Sequence, residues 1–410
     1  MEKVELAVIG CGGMGGRHLS GLNELLGTPF ANIELAGLCD VNRENAEMAA
    51  AQVERMTGSR PPVFTAVEEM AAALPGLRAV DVVVDPCFHE EVVCQALDLG
   101  LHVMVEKPMA ITVKGCLAMM EAAERNGRLL SVAENFRRDP SARLVNHLLR
   151  QGRIGTPYMA TFHHLSGGDR VFITPWRHLK DRGGMVLDVG VHFTDLIRYQ
   201  LGDIDEVYGD VRLVEPVRRK PEGIGVDNEF YRKRLEEMAD QYPATAEDVS
   251  IASMRLESGA FVSWMVGIGG HGGCGGEIIF GDAGALRGFG TRGGSTCLVR
   301  TGEEEVPYEE LMASATGLEL EPLAAHFFPD KLAEGNIDFR LLALEYYELG
   351  EAILNGRELE VDGVEGMKDV AAVYAVFESS VAGRPVKMSE VESGELSTYQ
   401  DEIDAALKKT

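Results

Sequence analysis

Val4-Glu-Leu-Ala-Val-Ile-Gly10-Cys-Gly12-Gly-Met-Gly15 sets an apolar, strand-like run directly against a glycine turn. The glycines at 10, 12 and 15 have the G-x-G-x-x-G spacing that opens a dinucleotide-binding unit. Each has a physical reason. Gly10 allows a tight turn, Gly12 leaves bare backbone for close approach of a pyrophosphate, and Gly15 lets the helix pack closely on the strand. The anion would rest at the N-terminus of the helix that begins near Met14. A chain with 47 glycines also produces such a triplet by chance, so its meaning depends on the elements that come after it.

A second apolar run, Ile33 to Cys39, is closed by Asp40. A carboxylate there accepts hydrogen bonds from an adenosine ribose and repels a 2′-phosphate, which favours NAD over NADP. The offset from Gly10 exceeds the usual ~20 residues, and Leu25 to Phe30 reads as the longer connection that absorbs the excess. Arg43 keeps NADP open, because a guanidinium can pair with such a phosphate. The plainer alternative for Asp40 is a helix cap.

To about residue 135 apolar runs alternate with amphipathic stretches. Strands are expected at Val4–Ile9, Ile33–Cys39, Val80–Val84, His102–Val105 and Leu129–Ala133, with helices such as Asn42–Met56 and Val113–Arg125 between them. Near-continuous apolar strands alternating with helices imply a parallel sheet covered on both faces, hence an α/β, doubly wound Rossmann domain over residues 1–135. After Asn135 a helix, Ser141–Gln151, leads into longer strand-like runs at Pro157–Leu165, Ile204–Val214, Asp248–Leu256 and Ala260–Ile268. Consecutive strands predict an α+β domain over 136–410 with a large, mostly antiparallel open sheet and helices on one face. The polar stretch Lys220–Thr245 holds a short charged helix, Asp227–Ala239, to which no chemistry is assigned, and helical patterns return at Leu341–Leu354 and Gly366–Ser380.

Composition excludes several classes. The net charge of −26 repels a phosphate backbone and an anionic membrane, so nucleic acid is not an expected partner. No apolar stretch reaches the ~18 residues of a membrane span, and the chain enters its first strand at Val4 with no basic leader before it. A cytoplasmic setting is expected. The seven cysteines are an odd set without a C-x-x-C pair, unlike a disulfide framework or a zinc site. Most are expected to be small buried side chains.

Two elements carry the chemistry. His102–Val105 runs into Glu106-Lys107-Pro108, which puts a lysine at the carboxyl end of a predicted central strand, the edge where open α/β sheets bind ligands. Desolvation beside a cofactor tunes a lysine toward acid or base work, although a lone lysine is more often an exposed solubilising residue. Behind the pair Gly183-Gly184, Asp188, His192 and Asp195 follow i, i+4, i+7 spacing and share one helix face. Carboxylates flanking an imidazole would hold its tautomer for proton transfer. The alternatives are that Asp188 caps the helix while His192 sits in the core, or that the three bind a metal. One helix offering all three is a poor metal match, so none is expected.

With these residues together, the chain resembles the Gfo/Idh/MocA family of sugar and inositol dehydrogenases over nearly its whole length. The likeness rests on the glycine turn, the Glu106-Lys107-Pro108 tripeptide, the Asp188-x-x-x-His192 pair behind paired glycines, and a tail of the family's type at Glu378–Val391. The resemblance implies Lys107, Asp188 and His192 as catalytic candidates around the reacting carbinol: His192 takes the proton, Lys107 hydrogen-bonds the same oxygen and Asp188 orients the group, with Asp195 behind them. It implies cofactor contacts at Gly10, Gly12, Gly13, Met14, Gly15, Asp40, Arg43, Glu106 and Lys107. Pro86 and His89 join them in a turn, Asp85-Pro-Cys-Phe-His89, where the family often has Thr-Pro. On the sugar side, besides Lys107, Asp188 and His192, it points to Trp176, Arg177 and His164, the last beside His163. The run Gly267–Gly276 reads as a mobile pocket loop or a bulged strand end.

The implied activity is an NAD(P)-dependent transfer of hydride between nicotinamide and a secondary alcohol or ketone of a sugar, glycoside or cyclitol. Two alternatives remain: redox-neutral glycoside cleavage through a 3-keto intermediate on tightly bound NAD, and a non-catalytic cofactor-binding sensor. The family likeness also implies a homo-oligomer, dimer or tetramer, formed on the exposed face of the second sheet.

Overall fold

Short strands of Val, Ile, Leu and Ala with no polar face are stable only where both faces are covered, and the computed structural model pairs them so. It describes residues 2–221, 229–288, 292, 296–299, 305–329 and 337–408. The first sheet contains β1 (Val4–Ile9), β2 (Ile33–Cys39), β3 (Val63–Phe64), β4 (Ala79–Val82), β5 (His102–Glu106) and β6 (Leu130–Ala133). All run parallel in the order β3-β2-β1-β4-β5-β6. The order reverses between β1 and β4, and there the crevice outside the strands' carboxyl ends receives a ligand. The glycine turn after β1, Asp40 after β2, Asp85 beyond β4 and Lys107 after β5 all open onto that edge.

The second sheet contains β7 (Pro157–Gly167) and β8 (Ile204–Arg212), and, beyond a two-stranded ribbon of β9 (Val217–Arg219) and β10 (Gln241–Pro243), β11 (Val249–Leu256), β12 (Phe261–Gly267), β13 (Gly269–Gly281), β14 (Gly284–Arg287), β15 (Cys297–Val299) and β16 (Val386–Lys387). Its order is β15-β14-β13-β7-β12-β11-β8-β16; β7 and β12 are parallel and every other pair is antiparallel. Helices Gly184–Leu201 and Gly363–Ala382 cover one face. Trp264 of β12 is fully buried there, its Nε1 donating to Ser250 at 3.1 Å. The glycine run resolves as a bulged strand: β13 shifts register against β7 between Gly269 and Cys274.

The chain does not stay divided at residue 135. Helix Ile337–Asn355 returns to the first layer and packs on helix Gly13–Leu26. Leu341, Leu344, Tyr346 and Leu349 join Leu6, Val8, Leu19 and Leu22 in one apolar core. The apolar stripe of the first helix needs a cover, and local periodicity does not say which later segment supplies it. Among the described residues no helix is long and apolar enough to cross a membrane. The seven cysteines are all unpaired, but only Cys11, Cys39 and Cys116 are buried, and Cys274 is exposed.

Candidate functional site

The crevice at the β1/β4 switch point is a groove of about 570 Å³ lined by Gly10, Gly12, Asp40, Asn45, Asp85 and Phe88 among others. Its glycines are sterically required. Gly10 has φ +96°, and a Cβ there or at Gly15 would collide with the carbonyls of Val83 and Gly10 respectively. Gly12 keeps the backbone bare toward the groove. Asp40 stands at the end of β2, accepting the Cys11 amide at 2.8 Å and the Asn42 amide at 2.8 Å. Asn42, not Asp40, supplies the side-chain cap of the next helix. A bare backbone cradle at a helix N-terminus beside a carboxylate fits the pyrophosphate and ribose of NAD.

The second constellation forms where β5 and helix Gly184–Leu201 meet. Lys107 Nζ donates to the Asp188 carbonyl at 2.9 Å and to its carboxylate at 3.1 Å. Arg177 Nε donates to the other carboxylate oxygen at 2.7 Å. Burial alone would raise the Asp188 carboxyl; Arg177 and Lys107 outweigh it and hold the group well below the carboxylate range. Asp188 is therefore a fixed anion between two cations. One turn on, His192 Nδ1 lies 2.7 and 2.8 Å from the two carboxylate oxygens of Glu134, and the Phe136 ring stacks on the imidazole at 4.0 Å with 8° between planes. The Lys107 ammonium, held on Asp188, and an imidazole one helical turn beyond that aspartate can together hold and deprotonate a hydroxyl.

Residues 4–134 match the model of an oxidoreductase family with an NAD-binding Rossmann fold, and residues 142–287 match the GFO/IDH/MocA C-terminal domain. The chain belongs to the Gfo/Idh/MocA family. NAD is the cofactor of its first domain. It is 30% identical over 206 residues to D-apiose dehydrogenase of Paraburkholderia graminis, 50% of this chain and 51% of that protein. It is 29% identical over 158 residues to glycosyl hydrolase family 109 protein 1 of Akkermansia muciniphila, 38% of this chain and 32% of that one. The chain thus spans about half or less of these relatives' length. In fold it is similar to an NAD binding oxidoreductase from Klebsiella pneumoniae, with TM-score 0.75 and 21% identity over 94% of this chain and 99% of that one.

Within this Gfo/Idh/MocA architecture several expected contacts lie elsewhere. His89 is fully buried, with Nδ1 2.9 Å from the Pro108 carbonyl and Nε2 3.1 Å from that of Val84, so neither nitrogen faces a cofactor. Pro86 is buried at the start of its turn, and Asp85 and Phe88 line the groove instead. Glu106 turns inward toward His18, 3.5 Å away, drawn by a buried imidazole. Arg43 is largely exposed and pairs with Glu47 at 3.5 Å, outside the groove lining. Met14 packs half-buried against the first core. Gly13 lies under the ring of Tyr231, and Phe230 stands 3.4 Å from an ideal Cβ at Gly12.

The helix face also divides its work differently from the simple spacing argument. Asp195 does not orient His192; it accepts Arg137 Nε at 2.9 and 3.0 Å. Arg177 is buried, bonded to Asp188 and to Thr174 at 2.6 Å, and lies 4.2 Å over the Trp176 ring. His163 and His164 alternate across β7: His163 meets Ser263 at 3.0 Å, while His164 stands 6.0 Å from the Phe193 ring on the helix side. Two participants are missed by reasoning from sequence. Glu134 sits just past β6, at the same carboxyl edge as Lys107, and that position is its readable signal. Helix Glu229–Glu237 brings Phe230 and Arg234 into the groove lining; the start of the expected helix, residues 227 and 228, lies outside the described residues. Nothing in its polar pattern points to a cofactor.

Proposed function

We propose that the protein is an NAD-dependent dehydrogenase acting on a secondary alcohol of a sugar, glycoside or cyclitol, or reducing the matching ketone. The observation that carries this reading is the joining of Lys107, Asp188 and His192 at the carboxyl edge of β5. A bound NAD would supply the acceptor for a hydride from the carbinol carbon. His192 takes the hydroxyl proton, and Lys107 donates a hydrogen bond to the same oxygen as negative charge develops there. Asp188 keeps the lysine in position and neutralises it in part, while Arg177 holds Asp188. Asp40 at the groove supports NAD over NADP, since Arg43 is turned away. Trp176 and His164 stand as the sugar-side contacts.

The redox-neutral reading has one observation in its favour: the likeness to glycosyl hydrolase family 109 protein 1. Absorbance at 340 nm separates the two. Purified protein, NAD or NADP, and a panel of sugars, glycosides and inositols are expected to give a rise with NAD that Lys107→Ala lowers at least ~100-fold. Release of aglycone without any rise favours the redox-neutral reading, and silence in both with cofactor still bound favours the sensor.

The open face of the second sheet exposes Tyr208, Ile251 and Phe261 on adjacent strands, which supports a homo-oligomer built on that face. Seven unpaired thiols suit a reducing compartment such as the cytoplasm.

A further inference from the structure

We propose that Glu134 is the positioning residue of this site, holding His192 with its proton on Nδ1 so that Nε2 is the atom that accepts a proton. What the base is used for rests on the dehydrogenase reading; which nitrogen carries the proton does not. An ionised carboxylate only accepts hydrogen bonds, and both its oxygens lie within 2.8 Å of Nδ1. Nδ1 must then be the donor, and a neutral imidazole has its remaining lone pair on Nε2.

The reverse arrangement, a protonated Glu134 donating to Nδ1, is disfavoured by the groups that surround the carboxyl. The Phe136 amide already donates to Oε1 at 3.0 Å. Burial would raise the Glu134 carboxyl, but His192, that amide and Lys107 outweigh it and hold the group below its ordinary value. A ring flip that would offer Nδ1 to a substrate keeps the stack on Phe136 but puts a carbon in place of Nδ1 against both Glu134 oxygens, so it gives up that hydrogen bond.

The surrounding charges leave this role to Glu134. On the same helix Asp188 is held by Arg177 and Lys107, and Asp195 by Arg137. From β5, Glu106 turns to His18 while Lys107 adds a positive charge near the pair. Helix Ile337–Asn355 contributes Glu345, whose carboxyl is pushed up by burial, which disfavours its charged form. Arg292 lies 5.3 Å over the far ring of the stack, Phe136. Among the described residues Glu134 is the anion in hydrogen-bond contact with His192. A proton arriving on Nε2 beside the Lys107 ammonium would be repelled, and the Glu134 charge offsets that repulsion.

Long-range proton–nitrogen NMR on protein carrying ¹⁵N-histidine reads the tautomer directly, with His192 assigned by His192→Gln. The expected result is a single Nδ1–H form in the native protein; an Nε2–H form overturns the proposal without any variant. In Glu134→Leu the Nε2–H form is expected to take over, and persistence of Nδ1–H also overturns it. With the polyol that gives the 340 nm signal, Glu134→Leu is expected to lose kcat at least ~100-fold with KM changed far less. Glu134→Asp, which keeps the charge, is expected to recover at least ~10-fold, and a Leu variant as fast as native overturns the role. Should Glu134→Leu fail to fold, the native spectrum and the Asp variant still decide. The expected tautomer in a protein that oxidises no alcohol would sink the dehydrogenase reading and leave this assignment standing.

Discussion

His18 is fully buried on the first helix between two carboxylates, with Nδ1 2.9 Å from Asp81 and Nε2 3.5 Å from Glu106. Burial opposes the imidazolium, but Asp81 and then Glu106 outweigh it and raise the group from 6.5 to about 10. A folded value above the unfolded one means stabilisation fully present below about pH 6.5 and lost as pH rises through about 10. Thermal unfolding followed from pH 7 to pH 10 is therefore expected to show a falling midpoint, and His18→Gln is expected to flatten that fall. An equal slope in the variant would show that His18 carries no charge in the fold. The same residue turns Glu106 inward: one position before Lys107, Glu106 ties the end of β5 to the first helix, while Lys107 faces Asp188.

Helix Glu229–Glu237 is the element whose role its own sequence hides. It is polar and charged, yet the fold carries it across to the first domain, where Lys233 pairs with Glu44 at 2.8 Å and Arg234 lines the groove. Phe230 and Tyr231 then lie on the glycine backbone that a pyrophosphate would approach. Rings resting on the cradle compete with the ligand for it. Tyr231→Ala is thus expected to speed NADH association about threefold, read by stopped-flow fluorescence. Slower or unchanged association would mean that the helix does not obstruct entry.

Across the whole molecule, two sheets share one site. Lys107 belongs to the first sheet and Asp188 to a helix on the second, and their hydrogen bonds bridge the two layers. Helix Ile337–Asn355 crosses back the other way to complete the first core, and Arg138 reaches from the start of the second half to Glu348 on that helix. Among the described residues nothing covers the opposite face of the second sheet. Tyr208, Ile251 and Phe261 are each more than half exposed there, on three neighbouring strands. Light scattering is expected to give at least a dimer, and Ile251→Glu is expected to shift it toward monomer; a monomeric native protein would remove the oligomer reading.

What the sequence determined by itself was whatever depends on local order along the chain. The glycine spacing, the apolar strands ending in Asp40 and Lys107, and the i, i+4 pairing of Asp188 and His192 all arise from periodicity and backbone sterics, which neighbouring residues dictate. Tertiary structure decided which partners those side chains met. Asp188 and Asp195 share a helix face with His192, yet Arg177, Lys107 and Arg137 claim them because buried charges need opposite charges, and those arrive from other elements. The carboxylate that does meet His192 comes from the end of β6, 58 positions earlier in the chain. His89 and Glu106 turned inward for the same reason: buried backbone carbonyls and a buried imidazole satisfied them at distances no local pattern encodes. Long-range pairing of polar groups, unlike helical or strand period, leaves no repeat in a single sequence to read.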